Sequence, residues 1–375
     1  MTAPVVQGWC PGAHRPMMSG DGLVVRVRPR LARLTADQAL GLCAAATRFG
    51  SGTIDLTNRA NLQLRGVAES DHQDLLGTLS GLGLLDAEPG IEVKRNILMT
   101  PLYHIGDQTH RLATELTERI GELPELPAKF GFAVDTGPKR LLAAASADIR
   151  LETAPDGIVL RADGLETGRL VAEAHAIDRA IELANWFARH RTGDRRRMAT
   201  LAADHSLPED WQGHAPTGMG PALAPGAVPL GTIYGAAFGQ LPAEALARLI
   251  DDSGADALRV TPWRLFLLEA AGPLETDVFV TRPNDPLLTT DACSGAPFCP
   301  QAQVETRALA RALATQVGGA LHVSGCAKGC ARMSAADVTL VGNSGRFDLV
   351  KRGRAGDEPS QRRLTAKDLM NMDLT

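Results

Sequence analysis

The amino-acid pattern points to an α+β fold made from two successive copies of one unit. The order strand, helix, strand, strand, helix occurs twice. Each occurrence leads into a longer mixed α/β segment, and a Pro/Gly-rich stretch separates the two.

The elements follow from local periodicity. Leu23-Val24-Val25-Arg26-Val27-Arg28 is rich in β-branched residues and reads as a strand. Thr35 is a helix N-cap ahead of an apolar-periodic run to Phe49. Thr53-Ile54-Asp55-Leu56 and Leu62-Gln63-Leu64-Arg65 alternate apolar and polar residues, as half-buried strands do. Glu69 to Leu82 reads as a helix and completes a ferredoxin-like half. The same order returns with a strand at Gly231-Thr232-Ile233-Tyr234, a helix from Pro242 to Ile250, and strands at Ala257–Thr261 and Arg264–Leu268. The last helix of this copy is expected to shrink to about a turn around Leu274 to Asp277. In the segment after the first copy, a helix is expected over Gln108–Ile120, strands near Leu141-Leu142-Ala143 and Gly157–Leu160, and a helix over Leu170–Arg189. In the segment after the second, a helix is expected over Val304–Val317 and strands at Val338–Val341 and Phe347–Val350. Pro208 to Pro229 reads as a linker. The boundaries that result are 1–93 for a lead-in and first half, 94–200 for the first α/β domain, 201–229 for the linker, 230–288 for the second half and 289–375 for the second α/β domain.

With 375 residues, 44% of them hydrophobic, the chain can bury more than one core. A net charge of −4 and 4% aromatic residues argue against a nucleic-acid-binding surface. Met1-Thr2-Ala3-Pro4 opens no basic and apolar leader, and no apolar run is long enough for a bilayer, so a cytoplasmic protein with no membrane partner is expected. Six cysteines in a chain of this length do not make a disulfide framework; paired ones favour metal.

Four of the six fall near the C-terminus. Cys293 and Cys299 are separated by five residues, and Cys326 and Cys330 by three. Thiolates select iron–sulfur clusters, zinc or copper(I). The first gap is wide for a zinc knuckle, whereas four thiolates are the usual ligand set of a 4Fe-4S cubane. Gly325 and Gly329 allow the backbone to approach a bulky inorganic body, and Lys328 offsets thiolate charge. A zinc clasp or buried free thiols are the alternatives. Cys43, in an apolar helix, reads as core, and Cys10 as an ordinary loop thiol.

This C-x5-C…C-x3-C pattern, with its second pair in a Gly-Cys turn, resembles the cluster motif of the sulfite and nitrite reductases. Its particular form, Gly325-Cys326-Ala327-Lys328-Gly329-Cys330-Ala331, is similar to that of the precorrin-3B synthases, oxygen-using members on the cobalamin pathway. The resemblance covers nearly the whole chain. It implies a nitrite/sulfite reductase-like architecture: two ferredoxin-like halves plus two larger α/β domains about a pseudo-twofold axis, with one cluster held by the second half alone. It also implies that Cys330 can bridge the cluster to sirohaem iron. Thr57-Asn58-Arg59-Ala60-Asn61-Leu62-Gln63-Leu64-Arg65 resembles the reductases' anion-binding stretch; Arg59 and Gln63 match, while Asn61 and Arg65 replace threonine and histidine. Arg95 matches a second family arginine, and Lys129 the first of two active-site lysines. The second lysine is replaced by Gly131, which removes charge and bulk.

The resemblance therefore implies a monooxygenase that takes precorrin-3A, dioxygen and electrons derived from NADH or NADPH, through a reductase partner where one is used. It would use the 4Fe-4S cluster and a second iron centre, sirohaem or mononuclear non-haem iron. Arg26, Arg28, Arg59, Arg65 and Arg95 are candidates to meet a carboxylate-rich tetrapyrrole, because guanidinium forks bind carboxylates in pairs. Arg26 and Arg28 share a strand face, which on its own reads as a solvated edge. The arginine-rich run from Arg189 to Arg197 reads as a solvated helix end, and His104 and His110 as structural. Two other readings stay open: a sirohaem-dependent sulfite or nitrite reductase, and a non-catalytic iron–sulfur carrier.

Overall fold

The computed structural model describes residues 11–193 and 195–374; Cys10 lies outside them. The chain forms four five-stranded sheets, two per copy.

The first copy supplies β1 (Met17–Ser19), β2 (Gly22–Val27), β3 (Arg33–Thr35), α1 (Ala36–Phe49), β4 (Thr53–Leu56), β5 (Leu62–Val67) and α2 (His72–Gly81). Helix α1 starts where expected: Thr35 Oγ1 accepts from the Gln38 N–H, and Gln38 Oε1 from the Thr35 N–H, a reciprocal capping box. The α/β layer after it holds α3 (Pro89–Lys94), β6 (Ile97–Met99), α4 (Gln108–Glu118), β7 (Phe132–Asp135), β8 (Ile149–Ala154), β9 (Gly157–Ala162), β10 (Arg169–Val171), α5 (Ala176–His190) and α6 (Met198–Ala202). The second copy repeats the plan with β11 (Gly226–Val228), β12 (Gly231–Gly235), β13 (Gln240–Pro242), α7 (Ala243–Ser253), β14 (Ala257–Val260) and β15 (Leu265–Glu269), then β16 (Thr290–Ala292), α8 (Arg307–Leu313), β17 (Leu321–Ser324), β18 (Ala336–Asn343), β19 (Arg346–Gly353), β20 (Gln361–Leu364) and α9 (Ala366–Asn371).

Several local expectations need correction. Leu141–Ala143 is not a strand; Leu142 is fully buried and its N–H donates to Asp135 at the end of β7, the strand that stands there instead. The helix expected from Leu170 begins at Ala176, because Leu170 and Val171 pair with β9. Residues 274–277 form no helix. The helix expected over Val304–Val317 is α-helical only over Arg307–Leu313. The linker carries β11 and buries Trp211.

The ferredoxin-like sheets exchange strands. The first runs β1-β2-β5-β4-β13 and the second β11-β12-β15-β14-β3, so each is closed by a strand of the other copy. β13 pairs antiparallel with β4, Leu241 opposite Ile54; β3 pairs antiparallel with β14, Leu34 opposite Leu258. Leu31 (φ 54°) and Phe238 (φ 58°) sit in equivalent turns before the two exchanged strands and swing the chain out of its own sheet. Leu34 and Leu241 are both fully buried, each worth about 2 kcal/mol of apolar burial.

An ion-pair cluster fixes one exchange. Arg33 on β3 donates Nε and Nη2 to the two oxygens of Glu269 on β15, both at 2.8 Å. Arg259 on β14 also pairs with Glu269, stacks 3.9 Å over the Tyr103 ring and donates to the Pro101 and Tyr103 carbonyls at 2.6 Å. Removing the carboxylate would strand a guanidinium that is only 2% exposed. Glu269→Ala is expected to lower the unfolding free energy by about 3–5 kcal/mol, seen as an earlier midpoint in urea, with both copies unfolding in one transition.

Candidate redox and substrate site

Sheet β6–β10 and sheet β16–β20 superpose strand for strand by register. Ile97 pairs with Phe132 as Thr290 pairs with Leu321, and Phe132 pairs with Ile149 as Leu321 pairs with Val338. Cys293 follows β16 directly, and the matching residue after β6 is Thr100. Cys326 stands two residues past β17, and its match past β7 is Gly137. The first copy therefore offers no thiol at those two places.

The four cysteines are free thiols; Cys293, Cys299 and Cys326 are half-buried and Cys330 is exposed. The Gly325 N–H donates to Cys293 Sγ at 3.2 Å, Thr306 Oγ1 to the Cys293 carbonyl at 2.6 Å, and Ser324 Oγ to the Cys326 carbonyl at 2.7 Å. The Cys330 thiol pKa is raised by desolvation and by Cys293, Cys326 and Cys299, while Lys328 lowers it, so the Cys330 sulfur lies within electrostatic reach of the other three. Four such thiolates repel and need a cationic body between them. Among the described residues no three His, Cys, Asp or Glu side chains converge on a single ion. Zinc would need its sulfurs roughly 3.8 Å apart, from Zn–S distances of ~2.3 Å. Four thiolates are the ligand set of a polynuclear sulfide cluster as well as of a zinc clasp. Under this turn lies His322, fully buried, with neither ring nitrogen hydrogen-bonded on the protein and Cε1 3.6 Å from where a Gly329 Cβ would stand. Burial holds its pKa down to about 4. Its strand carries no metal-ligand spacing that would mark it in the sequence.

The first copy carries a buried cationic group. Arg26 and Arg28 are 9% and 6% exposed, so the solvated-edge reading fails; β1 lies outside β2. Arg26 donates to the Gln63 side-chain oxygen at 2.8 Å across the β2–β5 pair. Arg28 donates Nη1 to Asn96 Oδ1 at 2.9 Å, and its pKa falls to about 10 through burial and then the neighbouring Arg26, so it stays charged at neutral pH. Arg95 is buried and committed: Nε and Nη2 hold Asp86 at 2.8–3.1 Å, and Nη2 also reaches the Arg28 carbonyl at 2.8 Å. It is a clamp rather than an open anion ligand. Arg65 likewise pairs with Asp21.

Arg59 is half-buried in the β4–β5 turn, whose shape is set by Thr57 Oγ1 accepting from the Arg59 N–H (3.3 Å) and by Ala60 at φ 51°. Trp263 and Arg264 repeat that turn in the second copy. Gly131 lies beside Arg59: a Cβ there would stand 3.6 Å from Arg59 Nη1 and 3.1 Å from the Asn96 carbonyl. Lys129 is exposed, two residues earlier. Asn96, unforeseen from sequence, holds this stretch by donating Nδ2 to the carbonyls of Val93, Ala128 and Phe130. Asp148 pins it from the other side, accepting from the Gly131 N–H at 2.9 Å and from Arg197 Nε. Arg197 is thus structural, not part of a solvated run. His104 is exposed and His110 packs against Tyr103, consistent with structural roles. Cys43 is core, its thiol pushed up to about 12 by burial.

Duplicated ferredoxin-like sheets with exchanged strands, paired α/β layers and four thiols on one side define a nitrite/sulfite reductase-like protein. The family model described as the nitrite/sulfite reductase ferredoxin-like half domain matches residues 15–81. The solved structure of the Mycobacterium tuberculosis NirA protein has this fold, with a TM-score of 0.65 at 19% identity over 93% of this chain and 79% of that one. A Sinorhizobium sp protein described as precorrin-3B synthase is 32% identical over 96% of this chain and 85% of its own length. A ferredoxin–nitrite reductase of Synechococcus elongatus is 25% identical over 89% and 78%. The chain belongs to the precorrin-3B synthase family.

Asp135, the register counterpart of Ser324, shows the first copy's different chemistry. It is fully buried, Oδ1 has no partner, and burial raises its pKa to about 6. A carboxyl whose folded pKa exceeds its unfolded value of about 3.9 binds its proton more tightly when folded. It therefore contributes stability below about pH 4 that is lost as pH rises to about 6. Asp135→Asn should flatten that decline, checked by urea unfolding between pH 4 and 7.

Proposed function

We propose that this protein converts precorrin-3A to precorrin-3B in aerobic cobalamin synthesis. It would hydroxylate the carbon between the first and last pyrrole rings and close a lactone from an acetate side chain. Dioxygen provides the inserted atom; two electrons, derived from NADH or NADPH directly or through a reductase, and two protons carry the other atom to water. The observation that carries this reading is Gly131 beside Arg59. Where the resemblance to sulfite and nitrite reductases expects a second lysine, this chain has neither charge nor side chain, and a Cβ there would already stand 3.1 Å from the Asn96 carbonyl and 3.6 Å from Arg59 Nη1.

The chain's own residues have separable tasks. Arg59, half-buried, and Lys129, exposed, offer charge to the substrate's carboxylates. Arg95, held by Asp86, supports Arg28 through its carbonyl and so shapes the floor beneath them. Asn96 and Asp148 keep the 128–131 stretch in place. Cys293, Cys299, Cys326 and Cys330 would hold a 4Fe-4S cluster, which supplies single electrons when bound. The second iron centre is sirohaem approached through Cys330 or a mononuclear iron.

Anaerobically purified protein mixed with precorrin-3A and then given oxygen and reductant should yield a product heavier by one oxygen atom on mass spectrometry. Turnover of sulfite or nitrite without that product would overturn the reading in favour of a reductase. Gly131→Lys should lower kcat/KM for precorrin-3A by about tenfold or more, because the added side chain meets Asn96 and Arg59. Cys293→Ala should abolish the electron paramagnetic resonance signal of reduced protein and its acid-labile sulfide; an unchanged signal would refute that ligand.

A further inference from the structure

The polar face of the first ferredoxin-like sheet carries Arg26, Gln63, Asp55 and Gln240 in register across β2, β5, β4 and the exchanged β13. Asp55, at its centre, is 8% exposed. It touches two arginines that lead to the cysteines. Arg65 Nε lies 3.9 Å from Asp55 Oδ2, and its Nη2 reaches the Phe298 carbonyl, just before Cys299, at 3.4 Å. The β1–β2 turn reaches the same carbonyl through Ser19 Oγ at 2.9 Å and the Gly20 N–H at 3.2 Å.

Arg307, from the second copy, approaches Asp55 Oδ1 with Nη2 at 3.5 Å. It opens α8 directly after Thr306, whose hydroxyl holds the Cys293 carbonyl at 2.6 Å, so its guanidinium lies within electrostatic reach of the Cys293 sulfur. The contact with Asp55 is loose. Buried Arg307 Nε and Asp55 Oδ1 each complete no hydrogen bond on the protein. A desolvated cation with a spare N–H, on the residue next to the Thr306 that holds the Cys293 carbonyl, is suited to a negatively charged sulfide body.

We propose that Arg307, steered by Asp55 from the opposite copy, is the positioning residue that offsets the charge of the sulfur-ligated cluster and sets its reduction potential. This rests on the reading that the four cysteines hold that cluster. Reduction adds a negative charge, so a fixed cation nearby stabilises the reduced state and a fixed anion behind it weakens the effect. The two residues must therefore act with opposite sign, which packing alone does not produce.

The test is a potentiometric titration of the full chain followed by paramagnetic resonance, with iron and acid-labile sulfide counted on each sample. Arg307→Gln should keep its iron and shift the midpoint to lower potential, Arg307→Lys should stay near the parent, and Asp55→Asn should shift it to higher potential. An iron-replete Arg307→Gln with the parent's midpoint, or shifts of the same sign for Arg307→Gln and Asp55→Asn, would overturn the proposal. If Arg307→Gln fails to load iron, Asp55→Asn, which removes a charge from the opposite copy and no residue of the cysteine loop, decides alone: an upward shift supports the proposal and no shift refutes it. Parent protein lacking four irons and four sulfides would instead remove the cluster reading itself, and the proposal with it.

Discussion

Strand exchange between the two ferredoxin-like sheets fixes the relative placement of everything else. β3 completes the second sheet and β13 the first, each through backbone pairing and a fully buried leucine. Neither copy can move away from the other without opening a sheet and exposing its unpaired backbone groups to replacement by water. The contact between the copies is thus held by the same interactions that hold the cores. The β1–β2 turn and Arg65 can then rest on the Phe298 carbonyl of the cysteine loop in a constant register.

Within that frame the charges are unevenly distributed. The first copy buries arginines at positions 26, 28 and 95 near one another, with Asp86, Glu92 and Gln63 among their partners. The second copy brings together four thiols. Burying like charges is costly unless each is hydrogen-bonded, and here Asn96, Gln63, Asp86 and backbone carbonyls do that.

How much of this the sequence showed depended on the range of the interaction. The duplicated order of elements, the α1 cap at Thr35 and the cysteine pairs are carried by spacing within a few residues, and all were legible. Arg59 and Gly131 were legible because a motif surrounds them. Arg95 was legible as a residue but not in its orientation, which Asp86 sets from across a turn. The exchange of β3 and β13 was not visible: each is three residues long, and the positive φ at Leu31 and Phe238 has no signature in those residue types. β7 was missed because Leu141-Leu142-Ala143 is a more apolar run, although its burial serves the core and not a ladder. Asn96, His322 and the Asp55–Arg307 pair depend on partners brought together only by the tertiary fold.

The traded strands also bear on ancestry. A half-length forerunner with this turn at Leu31 or Phe238 would have left its own sheet one strand short. It could close that sheet only by swapping with a second identical chain, as an intertwined symmetric dimer. Fusion of two such genes would preserve the swap unchanged while freeing each copy to diverge. One lineage could then lose the thiols at Thr100 and Gly137 and accumulate arginines, while the other kept its sulfurs. The asymmetry on which the proposed chemistry relies is one that no pair of identical subunits could have acquired.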